Sequence, residues 1–163
     1  MTTRIVALLD IDGVLNTRYY KIHVYDGIES LDPNNIKHLN DITDATGAEL
    51  VICSAWRVDG IEYVREKFKQ AGVTGIVTDV TPRKVHGETR PDVIQRWLDQ
   101  QENEPRFIIL DDTTYGGHLK YRLVSVESDT GLSKWSAQRA IAELRVTNKQ
   151  KQLIDAYQEM HSM

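Results

Sequence analysis

The sequence predicts an α/β fold in three layers, a central parallel sheet of about five strands with helices on both faces. Three observations predict it. Short runs that are apolar at every position recur along the chain, which is how strands buried on both faces read. Segments with apolar residues at helical spacing fill the gaps, so the chain alternates in βαβ units. Several of the strands stop at acidic or hydroxyl side chains, and in such sheets ligands bind beyond the carboxyl ends of the strands.

The first apolar run is Ile5-Val6-Ala7-Leu8-Leu9, which ends at Asp10. Asp32-Pro33 opens a helix with Ile36, Leu39 and Ile42 on one face, and Gly47 closes it. Leu50-Val51-Ile52-Cys53 is the second strand, ending at Ser54. A helix over residues 58–71 follows, with Ile61, Val64 and Phe68 turned inward, and residues 75–78 form a weaker third strand. Thr89 caps a helix that carries Val93, Ile94, Trp97 and Leu98 to the core. Phe107-Ile108-Ile109-Leu110 is the fourth strand, ending at Asp111, and Leu123-Val124-Ser125-Val126 the fifth. Ser133 caps a helix through Ala137, Ile141 and Leu144, on which Trp135 is also expected in the core. Residues 148–162 read as a last, more polar helix within a C-terminal segment 146–163. The crossovers are expected to be right-handed.

A length of 163 residues fits a single domain, 1–163, interrupted only by a short flap at 16–31. Hydrophobic residues at 40% and charged residues at 27% exclude a disordered chain. Twenty-four acids against 20 basic residues give a net charge of −4, which excludes a strongly basic nucleic-acid surface but leaves room for a local basic groove. The single cysteine, Cys53, rules out an intrachain disulfide and a cysteine-based zinc site, and points to a reducing, cytoplasmic setting. The apolar run before Asp10 is too short for a signal peptide or a membrane span, so no membrane is expected as a partner.

The chemistry is expected at three strand ends: Asp10-Ile11-Asp12-Gly13-Val14-Leu15-Asn16, Ser54-Ala55-Trp56-Arg57, and Asp111-Asp112. A parallel sheet brings them to one edge. Carboxylates gathered there are costly unless a cation neutralises them. Oxygen ligands without histidine or thiolate select a hard ion, Mg²⁺ first. A carboxylate can also attack phosphorus, provided that a second acid protonates the leaving oxygen and later activates water. Asp10 and Asp12 have that spacing, since residues two apart on an extended segment face the same side, and Gly13 frees the backbone to turn. Each signal has a plainer reading: Asp-x-Asp-Gly as a turn or calcium-loop fragment, Asp-Asp as a capping loop, Ser54 as an N-cap, Arg57 as a solvated first-turn residue. Their conjunction, each ending an apolar strand, favours the chemical one.

These residues resemble the haloacid dehalogenase (HAD) superfamily of phosphohydrolases. Leu9 to Asn16 matches its first motif, Val51-Ile52-Cys53-Ser54 its second, and Ile108-Ile109-Leu110-Asp111-Asp112 its fourth. The similarity runs over roughly residues 4–145. A finer pattern resembles the small HAD domain of nucleic-acid repair proteins, related to polynucleotide 3′-phosphatase domains. It consists of Ser54-Ala55-Trp56-Arg57, Arg90 with Val93-Ile94 and Trp97-Leu98, Leu110-Asp111-Asp112, and Gly131-Leu132.

The resemblance implies a three-layer Rossmann-like HAD fold with a minimal cap. It implies a Mg²⁺-dependent phosphomonoesterase that works through a phospho-aspartate, on a nucleic-acid end or a nucleotide phosphate. Asp10 is then the nucleophile and a metal ligand, and Asp12 the general acid/base, lending its carbonyl to Mg²⁺. Ser54 hydrogen-bonds the phosphoryl group, while Asp111 and Asp112 hold the metal, one directly and one through water. The third motif is a single cation, for which Arg90 is the first choice and Lys84 the second, with a solvated loop cation as the alternative for either.

The short interval between Asn16 and Asp32 has no room for a large cap, so an open site and a large substrate are expected. The insert from Thr17 to Tyr25 mixes tyrosines with Arg18, Lys21 and His23. Tyrosine rings can stack on bases and the cations can meet phosphate; a β-hairpin flap packed on the domain is the alternative. Asn16 either orients the loop or touches substrate, and Arg57 offers a second phosphate donor. His86 and His118 read as surface residues. A phosphotransferase or phosphomutase, a non-catalytic phosphate-binding domain and a receiver-like signalling module remain as alternatives. The order of acids argues against the last, which puts its acidic pair after the first strand. The oligomeric state is left open.

Overall fold

The structure is a computed structural model that describes residues 3–23 and 30–162. Five strands form one sheet: β1 (Ile5–Leu9), β2 (Glu49–Ile52), β3 (Val77–Val80), β4 (Arg106–Asp111) and β5 (Leu123–Ser125). Their order is β3-β2-β1-β4-β5, and every pairing is parallel. Six α-helices lie among the described residues: α1 (Arg18–His23), α2 (Pro33–Thr46), α3 (Ile61–Ala71), α4 (Arg90–Asp99), α5 (Lys134–Leu144) and α6 (Asn148–His161).

The period-two alternation of strands divides the core into two layers. Ala7, Leu9, Leu50, Ile52, Ile108 and Leu110 pack with Ile36 and Leu39 of α2, Val64 and Phe68 of α3, and Ala137 and Leu144 of α5. Val6, Leu8, Val51, Phe107 and Ile109 face the other way, onto Ile94, Trp97 and Leu98 of α4. Both faces are therefore covered, which explains why the central strands carry no polar alternation. Trp97 is buried as expected, with its indole N–H donating to Asp79 Oδ2 at 2.8 Å.

Four expectations change. The helix over 58–71 begins later: a 3₁₀ turn spans Ala55–Asp59, and Gly60, at φ 94° and ψ 160°, breaks the chain before α3. The third strand is displaced from 75–78 to Val77–Val80, with Ile76 left 69% exposed. Gly75 passes so close to Thr43 that a Cβ there would lie 2.8 Å from its methyl, so these residues form a turn beneath α2. Trp135 is 67% exposed on the outer face of α5, beneath the Arg139 guanidinium, and contributes nothing to the core. The insert opens as α1 and not as a β-hairpin, because Thr17 Oγ1 accepts from Tyr20 N at 3.0 Å and caps a helical turn. Val24 and Tyr25, and the side chains of Lys21, Ile22 and His23, lie outside the described residues.

α6 docks on the domain through its polar face. Lys151, buried, reaches Glu143 of α5 at 2.9 Å, Arg122 pairs with Asp155 at 2.8 Å, and Tyr121 donates to Glu159. Leu153, Tyr157 and Met160 face outward. Among the described residues no helix is long and apolar enough to cross a membrane.

Candidate active site

The register of the sheet builds the site. Leu9 lies opposite Ile52 on one side and Leu110 on the other, so the next residues, Asp10, Cys53 and Asp111, leave the three central strands side by side. Backbone bonds extend the pairing past the strand ends, from Asp10 N to Leu110 O at 2.9 Å and from Cys53 N to Leu9 O at 3.0 Å. Asp10 is 4% exposed and Asp111 fully buried. Carboxylate oxygens of Asp10, Asp111 and Asp112 lie within 4.8 Å of one another.

Arg90, the first residue of α4, reaches into this cluster. One guanidinium nitrogen, Nη1, lies 3.1 Å from Asp10 Oδ1 and 3.0 Å from Asp111 Oδ2. α4 is aimed by a capping box in which Thr89 and Asp92 bond reciprocally. Of the two cations considered, the structure brings Arg90 to the acids. Lys84 is exposed on the loop before α4, and among the described residues no hydrogen bond or ion pair joins it to the cluster; its nearest electrostatic effect is on Asp92.

The three acids are not equivalent. Burial, and the charges of Asp111 and Asp112, push the Asp10 carboxyl up to about 7 against the pull of Arg90. Burial works against the charge of Asp111 too, but the Tyr115 hydroxyl and the Arg90 guanidinium outweigh it and hold that carboxyl below its usual range. Asp111 Oδ1 accepts from Thr113 N and Thr113 Oγ1, both at 3.1 Å, and Oδ2 accepts from Tyr115 at 2.7 Å and from Arg90. Asp112 is raised by burial and by its neighbour Asp111.

The loop after β1 turns at once. Val14 N and Leu15 N both bond to Ile11 O, and Gly13 takes φ +82°. A Cβ on Gly13 would sit 2.1 Å from Asp112 Oδ2, so the absent side chain is what admits the third carboxylate. The turn leaves Asp10 buried and Asp12 exposed. Asp12 Oδ1 accepts from Asn16 Nδ2 at 3.0 Å, while Asn16 Oδ1 accepts from Gly13 N. Asn16, 1% exposed, orients the loop and the Asp12 carboxylate. The Asp12 side chain is not one of the three clustered acids.

Ser54 is buried at the end of β2 and its Oγ caps the 3₁₀ turn, accepting from Trp56 N at 3.3 Å. Arg57 has one of its guanidinium nitrogens tied to the backbone, while its Nε is buried without a partner among the described residues. Its Nη1 donates to Ser54 O at 2.9 Å and to Cys53 O, folding the guanidinium back onto its own turn. Arg18 is exposed at the start of α1, beside a cavity between α1, the start of α2 and the residues before α5.

Thr113 and Tyr115 escaped the sequence reading. Thr113 had a local signal, since an acid followed two residues later by a bonded amide is an Asx turn. Tyr115 had none, because an aromatic residue in a glycine-containing loop discloses neither its burial nor its partner.

The donor set fits a divalent cation. The three acids offer oxygen ligands alone, and two of them are pushed toward protonation by burial and by their neighbours' negative charge, which a bound cation would offset. No curated protein and no solved structure matches the chain. The family described as the HAD domain in Swiss Army Knife RNA repair proteins matches residues 6–137, which include the whole sheet but Ile5, the acid cluster, Arg90 and the loop joining them, and the chain belongs to that family.

Proposed function

We propose that the protein is a Mg²⁺-dependent phosphomonoesterase that acts through a phosphorylated Asp10 on the terminal phosphate of a nucleic acid, RNA first. The observation that carries this reading is the convergence of Asp10, Asp111, Asp112 and Arg90 at the ends of β1 and β4. Membership of the RNA-repair family supports the substrate class.

Asp10, Asp112 and the Asp12 carbonyl would hold Mg²⁺. Asp111 is the poorer direct ligand, since each of its oxygens already accepts two hydrogen bonds; it fixes Arg90 and would hold the ion through water. When bound, Mg²⁺ screens the phosphate charge from the carboxylates and polarises the phosphoryl group. An Asp10 carboxylate oxygen attacks phosphorus and the bond from phosphorus to the ester oxygen breaks. The Asp12 carboxyl gives its proton to that leaving oxygen. Asp12, now a carboxylate, takes a proton from water, whose oxygen attacks phosphorus. The phosphorus–Asp10 bond breaks, releasing inorganic phosphate and restoring Asp10. Ser54 and Arg90 hold the phosphoryl oxygens in both steps. Asn16 sets the direction of Asp12 in this scheme.

The test is turnover of p-nitrophenyl phosphate and of 3′- and 5′-phosphorylated oligoribonucleotides, with Mg²⁺ and with EDTA. Asp10→Asn should abolish turnover. Asp12→Asn should lower kcat by about 10²–10⁴-fold, the usual worth of general acid–base catalysis, while phosphate binding persists. Undiminished turnover by Asp10→Asn rejects the mechanism.

A further inference from the structure

The cavity beside the acid loop has no part in the steps above. Its volume is about 760 Å³, within the ~300–1,000 Å³ typical of small-molecule sites. The residues around it are tied to the Asp10–Asn16 loop. Leu132 N donates to Val14 O at 2.8 Å, and Asp32 N donates to Leu15 O at 2.8 Å. Asn35 Nδ2 donates to Thr130 O at 3.1 Å and Leu132 O at 2.9 Å. α1 begins two residues after Asn16, whose amide holds Asp12. The cavity thus adjoins the loop that carries the proposed acid/base.

Its lining selects a chemical class. Arg18 and Tyr19 bring flat faces from α1, Asp32, Asn34 and His38 come from the start of α2, and Asp129 faces them from the residues before α5. Among the described residues one guanidinium faces two carboxylates, a balance that suits hydrogen-bonding groups better than a second phosphate. Flat side chains beside hydrogen-bonding groups suit a base and a sugar, and carboxylates are good acceptors for ribose hydroxyls. Asn35, which also lines the cavity, is 2% exposed, and its Oδ1 has no hydrogen-bond partner among the described residues. That oxygen is packed against Gly131, so Asn35 holds the wall of the cavity in place and does not itself face an occupant.

We propose that this cavity is the nucleoside subsite of the same site, holding the base and ribose of the nucleotide whose phosphate is turned over at Asp10. The assignment rests on the phosphatase reading above, but its test needs no turnover. Calorimetric titration of the full chain uses adenosine, 2′-deoxyadenosine and a phosphoserine peptide as probes. Adenosine should bind saturably, and 2′-deoxyadenosine about fivefold more weakly, the worth of one hydrogen bond. Asn34→Trp, at an exposed position that lines the cavity, should fill it and weaken adenosine at least tenfold. Asp129→Asn, also exposed, should weaken it about fivefold. Unchanged thermal melting shows that both variants are folded. Absence of adenosine binding, equal affinity in the wild type and both variants, equal affinity for the two nucleosides, or peptide binding in place of adenosine would each overturn the proposal. Such a failure leaves the Asp10 chemistry standing, whereas an active Asp10→Asn enzyme sinks that chemistry without touching the titration.

Discussion

Gly13 carries two demands at once, a left-handed backbone and an empty space for the Asp112 carboxylate. Gly13→Ala strains the turn by about 1–2 kcal/mol and forces Asp112 to swing away. We expect a modest loss of stability and a raised Mg²⁺ concentration for half-maximal phosphatase activity; an unchanged Mg²⁺ requirement would show that Asp112 does not hold the ion. Tyr115→Phe removes one of the two donors on Asp111 Oδ2 while Arg90 still covers that oxygen. It should cost about 1 kcal/mol in a urea melt and lower kcat more than it raises KM. Asp10, Asp111 and Asp112 were legible because each follows an apolar strand, and parallel register then brings them together. The sequence records the charge of Arg57 but not its backbone partners, Cys53 O and Ser54 O. The different exposure of Asp10 and Asp12 was hidden, since spacing two apart says nothing about burial once the chain turns at Gly13.

At the scale of elements, the strands were readable because burial on both faces leaves an unbroken apolar run. The errors fall where local geometry overrides composition. Gly60 splits an apparently continuous helix, Gly75 shifts β3 by making a turn, and Thr17 caps a helix in a segment whose tyrosines suggest strand. Trp135 shows the limit of periodicity, which orients a helix face but does not say whether anything covers its edge. α6 inverts the usual arrangement by docking through ion pairs. Lys151→Ala removes the ammonium shared by Glu143 and Asp155. It should cost about 1–3 kcal/mol and loosen α6 alone, so that hydrogen exchange speeds up over Asn148–His161 while the sheet stays protected. Uniform loss of protection would mean that α6 folds as one unit with the core.

For the molecule as a whole, the acid cluster links stability to pH and metal. The Asp10 carboxyl is raised in the fold from 3.8 to about 7, so the folded state disfavours its charge. Its penalty is absent at low pH, grows above the unfolded value and is complete once the pH passes about 7. Asp111 runs the opposite way, its contribution being lost only on acidification through its lowered value. Between pH 5.5 and 8 the fold therefore resists the ionisation of Asp10, and Asp112, also raised, contributes with the same sign. Mg²⁺ should raise the melting temperature of the protein by more at pH 8 than at pH 5.5; an equal or reversed increment would separate the ion from these carboxylates.

The claim on which the account turns is that Asp10 itself receives the phosphoryl group. A rapid acid quench of the enzyme mixed with Mg²⁺ and a ³²P-end-labelled oligoribonucleotide, followed by peptide mapping, measures this directly. The account predicts an acid-stable, hydroxylamine-sensitive label on the peptide containing Asp10, formed within one turnover and absent with EDTA. Turnover without protein-bound label at any time of quench, or label on a peptide lacking Asp10, would contradict it.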